Sequence, residues 1–282
     1  MAAMVVSALP SVTEAAEALC SGDGYLLFQG YYSTDKIAEA RDRTYELART
    51  EPDRTSHFHG DDTEATQKRV WNLPEKGEIF RELTTDPYIL SIMEPILGDD
   101  LMLASYAANI LYPGAPAQEP HVDYPYWDLH ARTHWPQTLN ASFFLAVETV
   151  LMLDDFTVEN GASAIVPGSQ ARARWPDPGE FAEKSIRVTG PAGSVFMFPA
   201  LLWHAGQRNN THQSRGALLA SYTCKSIKPI EDWSRSISQD TIARSGDRMK
   251  ALLGVGYAYP AVMDHLAPRS SEGARSKKGI TE

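Results

Sequence analysis

The sequence predicts a mainly β core with flanking helices, and three observations carry that prediction. From Leu101 onward, short apolar runs recur between Pro and Gly turns: "LMLASYAANILY", "NASFFLAVETVLML", "SAIVPGS", "SVFMFPALLWH" and "GALLASYTC". Strands of that length, punctuated in that way, build a β-sandwich or barrel. The segments on either side carry helical apolar spacing instead. No internal repeat and no linker divides the chain, so residues 1–266 are expected to form one domain, with 267–282 a polar tail.

The front third reads as helical with one early strand. A helix begins near Thr13, a Gly-punctuated turn follows, and a strand covers Tyr25 to Phe28. "STDKIAEARDRTYELART" offers Ser33 or Thr34 as a cap ahead of a second helix. A third helix spans Asp86 to Leu97 and stops at Gly98. After the β region, "DTIARSGDRMKALLG" is helical again.

Composition narrows the function. Of 282 residues, 43% are hydrophobic and 22% charged, enough to bury a sizeable core. A net charge of -10, with basic residues clustered only around Arg275 to Lys278, argues against nucleic acid as a partner. Cys20 and Cys224 make no disulfide framework, and no long apolar run or leader-like N-terminus stands out. The expectation is a cytoplasmic monomer or homodimer, without a membrane partner, that acts on a small molecule.

The stretch "QEPHVDYPYW", Gln118 to Trp127, carries the chemistry. On a strand leaving "NILYPGAPAQEPHVD", His121 and Asp123 would project from one face. A His-x-Asp pair alone is common by chance, and a surface hydrogen-bonded pair is the better explanation of it taken alone. The case strengthens with "SVFMFPALLWHAGQRNNTHQSRGALLASY", which sets His204 at the end of an apolar strand and Arg215 at the start of another. Two histidines and one carboxylate form the facial set of non-haem Fe(II) oxygenases, and an arginine fork matches a carboxylate co-ligand.

"HVD", "LLWHAGQRNNTHQSR" and "MLDDFTVENGASAIVPGSQ", with "GDGYLLFQGYYS", together resemble the phytanoyl-CoA dioxygenase (PhyH-like) branch of the Fe(II)/2-oxoglutarate oxygenases over most of residues 20 to 225. The resemblance implies a double-stranded β-helix, or jelly-roll, core. It also implies an Fe(II) centre with 2-oxoglutarate and O2 as co-substrates, most often hydroxylating. His121, Asp123 and His204 match the family's metal ligands, and Arg215 matches the arginine that pairs with the distal carboxylate of 2-oxoglutarate. Gln118 and Ser163 match positions where related enzymes of secondary metabolism add co-substrate contacts. Gln170 departs from the family's usual His, in a turn away from the metal.

Other candidates weigh less. His130 and His134 have zinc-pair spacing but lack the accompanying glutamate, so a structural or surface role is favoured; His57 and His59 read as loop residues rather than a ligand pair, with a loop over the pocket mouth as the alternative. His212 reads as solvated, and Asp154 and Asp155 as turn residues. Tyr124, Tyr126 and Trp127 leave the site directly and are expected to bind an apolar or ring-bearing substrate. Two rivals stand beside the oxygenase reading. One is a cupin-like metalloenzyme in which Arg215 binds the substrate's own anion; the other is a ligand-binding jelly roll without turnover.

Overall fold

The computed structural model describes residues 9–52, 66–123, 144–172 and 174–255. Tyr124, Tyr126, Trp127, His57, His59, His130 and His134 lie outside these residues.

The N-terminal elements run α1 (Val12–Cys20), β1 (Leu26–Phe28), α2 (Thr34–Thr50), β2 (Gln67–Val70), α3 (Leu73–Lys76), α4 (Glu78–Thr84) and α5 (Pro87–Leu97). The core continues with β3 (Met102–Leu111), β4 (Ala146–Met152), β5 (Ala164–Ile165), α6 (Pro178–Lys184), β6 (Ile186–Arg187), β7 (Val195–Pro199), β8 (His204–Ala205) and β9 (Arg215–Thr223). Three short helices follow: α7 (Trp233–Ser236), α8 (Gln239–Arg244) and α9 (Asp247–Leu252).

The helices start where their sequence caps place them. Ser11 and Glu14 form a reciprocal capping box on α1, Ser33 caps α2, and Asp86 accepts from the backbone N–H groups of Tyr88 and Ile89 at α5. Gly98, at φ 100°, ends α5 in a conformation that only glycine adopts cheaply.

Six strands pair antiparallel in the order β1-β7-β4-β9-β3-β2, and a smaller sheet has the order β6-β5-β8. Both faces of the large sheet are covered, which explains why β4 and β7 are buried at every position. Its outer face sends Tyr106, Ala108, Val147, Leu151, Met197, Leu218 and Tyr222 into a core shared with the helices. Its inner face sends Val150, Met152, Phe196, Phe198 and Ala217 toward the second sheet. Among the described residues no helix is long and apolar enough to cross a membrane.

The early part of the chain is not helical apart from one strand. β2 pairs with β3, joining Gln67 to Leu111 and Val70 to Ala108, and it closes one edge of the large sheet. Its sequence, Gln-Lys-Arg-Val, hides it: polar side chains face inward here, so the usual apolar alternation is lost.

The C-terminal segment docks where β3 is irregular. The register of β3 against β9 shifts between Leu103 and Ser105, freeing backbone groups of the strand. Each finds a partner. Ile230 and Glu231 donate their N–H groups to the Ala104 carbonyl, and the Trp233 indole donates to the Leu103 carbonyl at 2.7 Å. The Glu231 carboxylate accepts from the Tyr106 N–H at 2.7 Å and from the Asn72 N–H at 2.8 Å. Asn72 itself has φ 58°, a left-handed turn that aims its amide at this carboxylate.

Burial pushes the Glu231 carboxyl up to about 7, against the two backbone N–H bonds and the Lys76 charge that favour ionisation. A carboxyl raised on folding stabilises fully below its unfolded pKa and loses that contribution as pH climbs through the folded value. Glu231→Gln removes the titration. Urea unfolding at about pH 4 and about pH 8 should show the variant gaining on the parent protein by on the order of 3 kcal/mol at the higher pH. A gap that does not change with pH would mean that Glu231 is ionised on both sides of neutrality.

Candidate metal and co-substrate site

His121 does not sit in a regular strand, because β3 ends at Leu111 and the intervening Pro-rich segment runs without ladder pairing. It is held instead by an isolated bridge to His204, whose two backbone bonds measure 2.9 and 3.0 Å. His204 likewise lies beyond the long apolar strand. β7 closes at Pro199, a turn follows, and His204 opens the two-residue β8. Asp123 is fixed by its own N–H, which donates to the Ala200 carbonyl at 2.8 Å.

The side chains converge. His121 Nδ1 is 2.7 Å from the Glu119 carbonyl, and His204 Nδ1 is 2.9 Å from the Leu202 carbonyl. A carbonyl can only accept, so each Nδ1 carries the proton and each Nε2 is left as the basic nitrogen. Both Nε2 atoms face Asp123, at 3.7 Å for His121 and 3.2 Å for His204. One ligand atom from each of the three residues lies within 4.8 Å of the others.

Electrostatics agree with the geometry. Burial opposes charge on Asp123, but His204, His121 and Arg69 outweigh it and hold the carboxyl below its ordinary range. Burial also opposes the His204 imidazolium, and the Asp123 charge and hydrogen bond overcome it, raising the pKa. The cluster thus attracts positive charge. A divalent cation would supply it more fully than a proton, and two imidazoles with one carboxylate are the donor set that suits a non-haem iron.

The triad opens onto a cavity of about 410 Å³. Arg215, at the first residue of β9, is 3% exposed. Its Nη2 donates to the Gly161 carbonyl at 3.2 Å and its guanidinium lies 4.1 Å above the Phe156 ring, yet its Nε has no hydrogen-bond partner. A buried donor left in this way is costly unless an acceptor arrives. Burial pulls the Arg215 pKa down to about 10, against Asp154 and Tyr45, so it remains a cation at neutral pH. Asp154 is more than a turn residue. Its Oδ2 accepts from Tyr45 at 2.6 Å and from the Gly216 N–H at 2.7 Å, and its Oδ1 pairs with Arg41 at 2.6 Å, bracing the start of β9.

Gln118 and Ser163 both line this cavity. Gln118 clasps β8's continuation: its N–H donates to the Gly206 carbonyl and its Oε1 accepts from the Gly206 N–H at 2.7 Å. A Cβ on residue 206 would lie 2.6 Å from that Oε1, so glycine permits the clasp. Gln170, where the resembled family has His, is buried and donates to the Gly22 carbonyl at 3.0 Å, tying its turn to the end of α1. His212 is exposed, as expected of a polar turn.

Two charged strand residues of the cavity wall escaped the sequence reading. Arg69, from β2, stacks 6.0 Å over Trp71 and acts on Asp123 across the cavity. Burial lowers its pKa to about 10, Asp123 working against the shift, so it is a second cation facing the site. Glu148, from β4, is the other. The missed signal is one of pattern, since charged residues stand where a strand's inward positions are normally apolar.

Residues 21–217 match the model of the family described as phytanoyl-CoA dioxygenase (PhyH). Dioxygenase af480 of Aspergillus fumigatus is 28% identical over 224 residues, covering 76% of this chain and 66% of that protein. L-proline trans-4-hydroxylase of Streptomyces griseoviridis is 25% identical over 176 residues, 51% of this chain and 63% of that one. Among solved structures, the epimerase SnoN in complex with Fe3+, alpha ketoglutarate and nogalamycin RO superposes with a TM-score of 0.60 at 22% identity, over 78% of this chain and 87% of that chain. That likeness is one of fold. On the match across residues 21–217, the chain belongs to the phytanoyl-CoA dioxygenase family.

Proposed function

We propose that the protein is an Fe(II)/2-oxoglutarate-dependent dioxygenase that hydroxylates a small organic molecule, with the two sheets forming a jelly roll around the site. The convergence of His121, Asp123 and His204 beside a buried, incompletely bonded Arg215 is the observation that carries this reading. Membership of the PhyH family and relatives named as dioxygenases support it, and L-proline trans-4-hydroxylase supports hydroxylation in particular.

His121 and His204 would bind the iron through Nε2, and Asp123 through a carboxylate oxygen. Arg215 would pair with the far carboxylate of 2-oxoglutarate, whose acceptor satisfies the orphaned Nε. Arg69 adds a second positive charge that acts on the Asp123 carboxylate and favours an anionic co-substrate in the cavity. Gln118 and Ser163 border the same space and would orient the co-substrate. Phe196, Phe198, Val150 and Leu219 give the cavity an apolar wall that excludes water and holds a substrate C–H in place. When bound, iron and 2-oxoglutarate would supply the oxidation, one atom of dioxygen going to the substrate C–H bond and the other to succinate, with release of carbon dioxide. Tyr124, Tyr126 and Trp127, next in the chain, are proposed to contact the substrate. The cavity suits a molecule of natural-product fragment size, in keeping with a role in secondary metabolism.

Succinate release from 2-oxoglutarate, measured with Fe(II) against a panel of small molecules, tests the reading. Asp123→Ala should abolish release and weaken metal binding on a direct titration while the melting temperature holds, because the donors sit at the barrel's interior surface rather than in its apolar core. Retention of activity would reject the triad. Arg215→Leu should weaken 2-oxoglutarate by on the order of 2–5 kcal/mol, most of it from an unpaired carboxylate, and should leave metal affinity near normal. An unchanged 2-oxoglutarate affinity would favour the metalloenzyme that binds its substrate's own anion at Arg215.

A further inference from the structure

The cavity has two charged ends. The guanidinium of Arg215 marks one. Six residues further along β9, roughly 20 Å of strand, Ser221 faces the same interior. There the register sets Ser221 beside Ser105 of β3 and Glu148 of β4, and Glu148 beside Phe198 of β7. The Ser221 hydroxyl donates to Glu148 Oε1 at 2.8 Å. Phe198 packs on the His204 ring with centroids 4.9 Å apart, which brings this row up against the triad. The Glu148 charge also acts on His204, raising its pKa.

Glu148 is 8% exposed and Ser221 2%. Both stand on strands that pair from Ala146↔Thr223 to Met152↔Ala217. Glu148 also forms part of the wall of the cavity, where its carboxylate meets whatever is bound there. An ionised carboxylate only accepts hydrogen bonds, and the Ser221 hydroxyl fixes how it points. The row also lies at the end that a co-substrate anchored on Arg215 leaves open.

We propose that Glu148, oriented by Ser221, is the specificity-determining residue of this site and accepts a hydrogen bond from a hydroxyl or amine of the molecule oxidised. The proposal rests on the oxygenase reading for the identity of the bound molecule as substrate. It commits the substrate to a donor-bearing compound and disfavours a plain hydrocarbon or an acyl chain at that end of the cavity. Neighbouring Phe198 and Leu219 receive the apolar remainder.

Binding of three probes of similar size, benzyl alcohol, benzylamine and toluene, distinguishes the possibilities. The full chain is loaded with Fe(II) and 2-oxoglutarate without oxygen, and each probe is titrated by calorimetry. The parent protein should bind the alcohol and the amine on the order of tenfold tighter than toluene, since a site built around a polar group rejects the analogue lacking it. Glu148→Leu should erase both preferences. Glu148→Gln, nearly the same shape, should keep the preference for the alcohol and lose that for the amine, because a neutral amide accepts but does not pair with an ammonium group. Equal or absent binding of all three probes by the parent protein, or an unchanged preference in Glu148→Leu, would overturn the proposal. The 2-oxoglutarate titration that precedes each run keeps the two readings apart. If 2-oxoglutarate fails to bind, the oxygenase reading falls, whereas the probe preferences, repeated on the unloaded protein, still decide the role of Glu148.

Discussion

The paired backbone hydrogen bonds between His121 and His204 bring two imidazoles from distant chain segments onto one carboxylate. Each ring is then turned by a carbonyl two residues before it, Glu119 for one and Leu202 for the other. Both basic nitrogens therefore meet Asp123 without any long side chain having to search for its place. The order lost by fixing these groups is borne by backbone pairing, and a metal arriving there would find its donors already arranged.

A site of this kind costs stability. Asp123, Glu148, Arg69 and Arg215 all stand around one cavity, and each is removed from bulk water at a cost of several kcal/mol unless paired. The opposite face of the same sheet offsets it. Tyr222, Met197, Leu218 and Ile110 pack with Phe80, Leu90, Ile92 and Met93 from the helices, each large side chain contributing roughly 1.5–3 kcal/mol. The outer face of the large sheet thus serves stability, while the inner face carries the chemistry beside a second apolar cluster. Period-two alternation places successive residues of β9, such as Tyr222 and Ser221, on the two sides.

Much of this was legible in the sequence because it depends on local rules. Ser11, Ser33, Asp86 and Gly98 mark helix ends by capping chemistry, and the apolar runs of β4, β7 and β9 announce strands buried on both sides. His121, Asp123, His204 and Arg215 stood out as residues whose types and order fit one chemistry. What could not be read depends on contacts between distant segments. Arg69 and Glu148 look like surface residues until the register of β2 and β4 turns them inward. Glu231 looks like one more acid in a polar stretch, and only the bulge in β3 gives it two amides to hold. The His121–His204 bridge was hidden for the same reason, since two residues cannot support a strand pattern in either segment.

The central claim is that the triad and the arginines form one site, in which metal and 2-oxoglutarate bind together. Calorimetric titration of 2-oxoglutarate with and without a redox-inert divalent ion such as Mn(II) measures that coupling directly. A joint site requires the metal to tighten 2-oxoglutarate binding at least tenfold, with the reciprocal effect of 2-oxoglutarate on the metal equal in size. Equal affinity for 2-oxoglutarate in the presence and absence of the metal would contradict it.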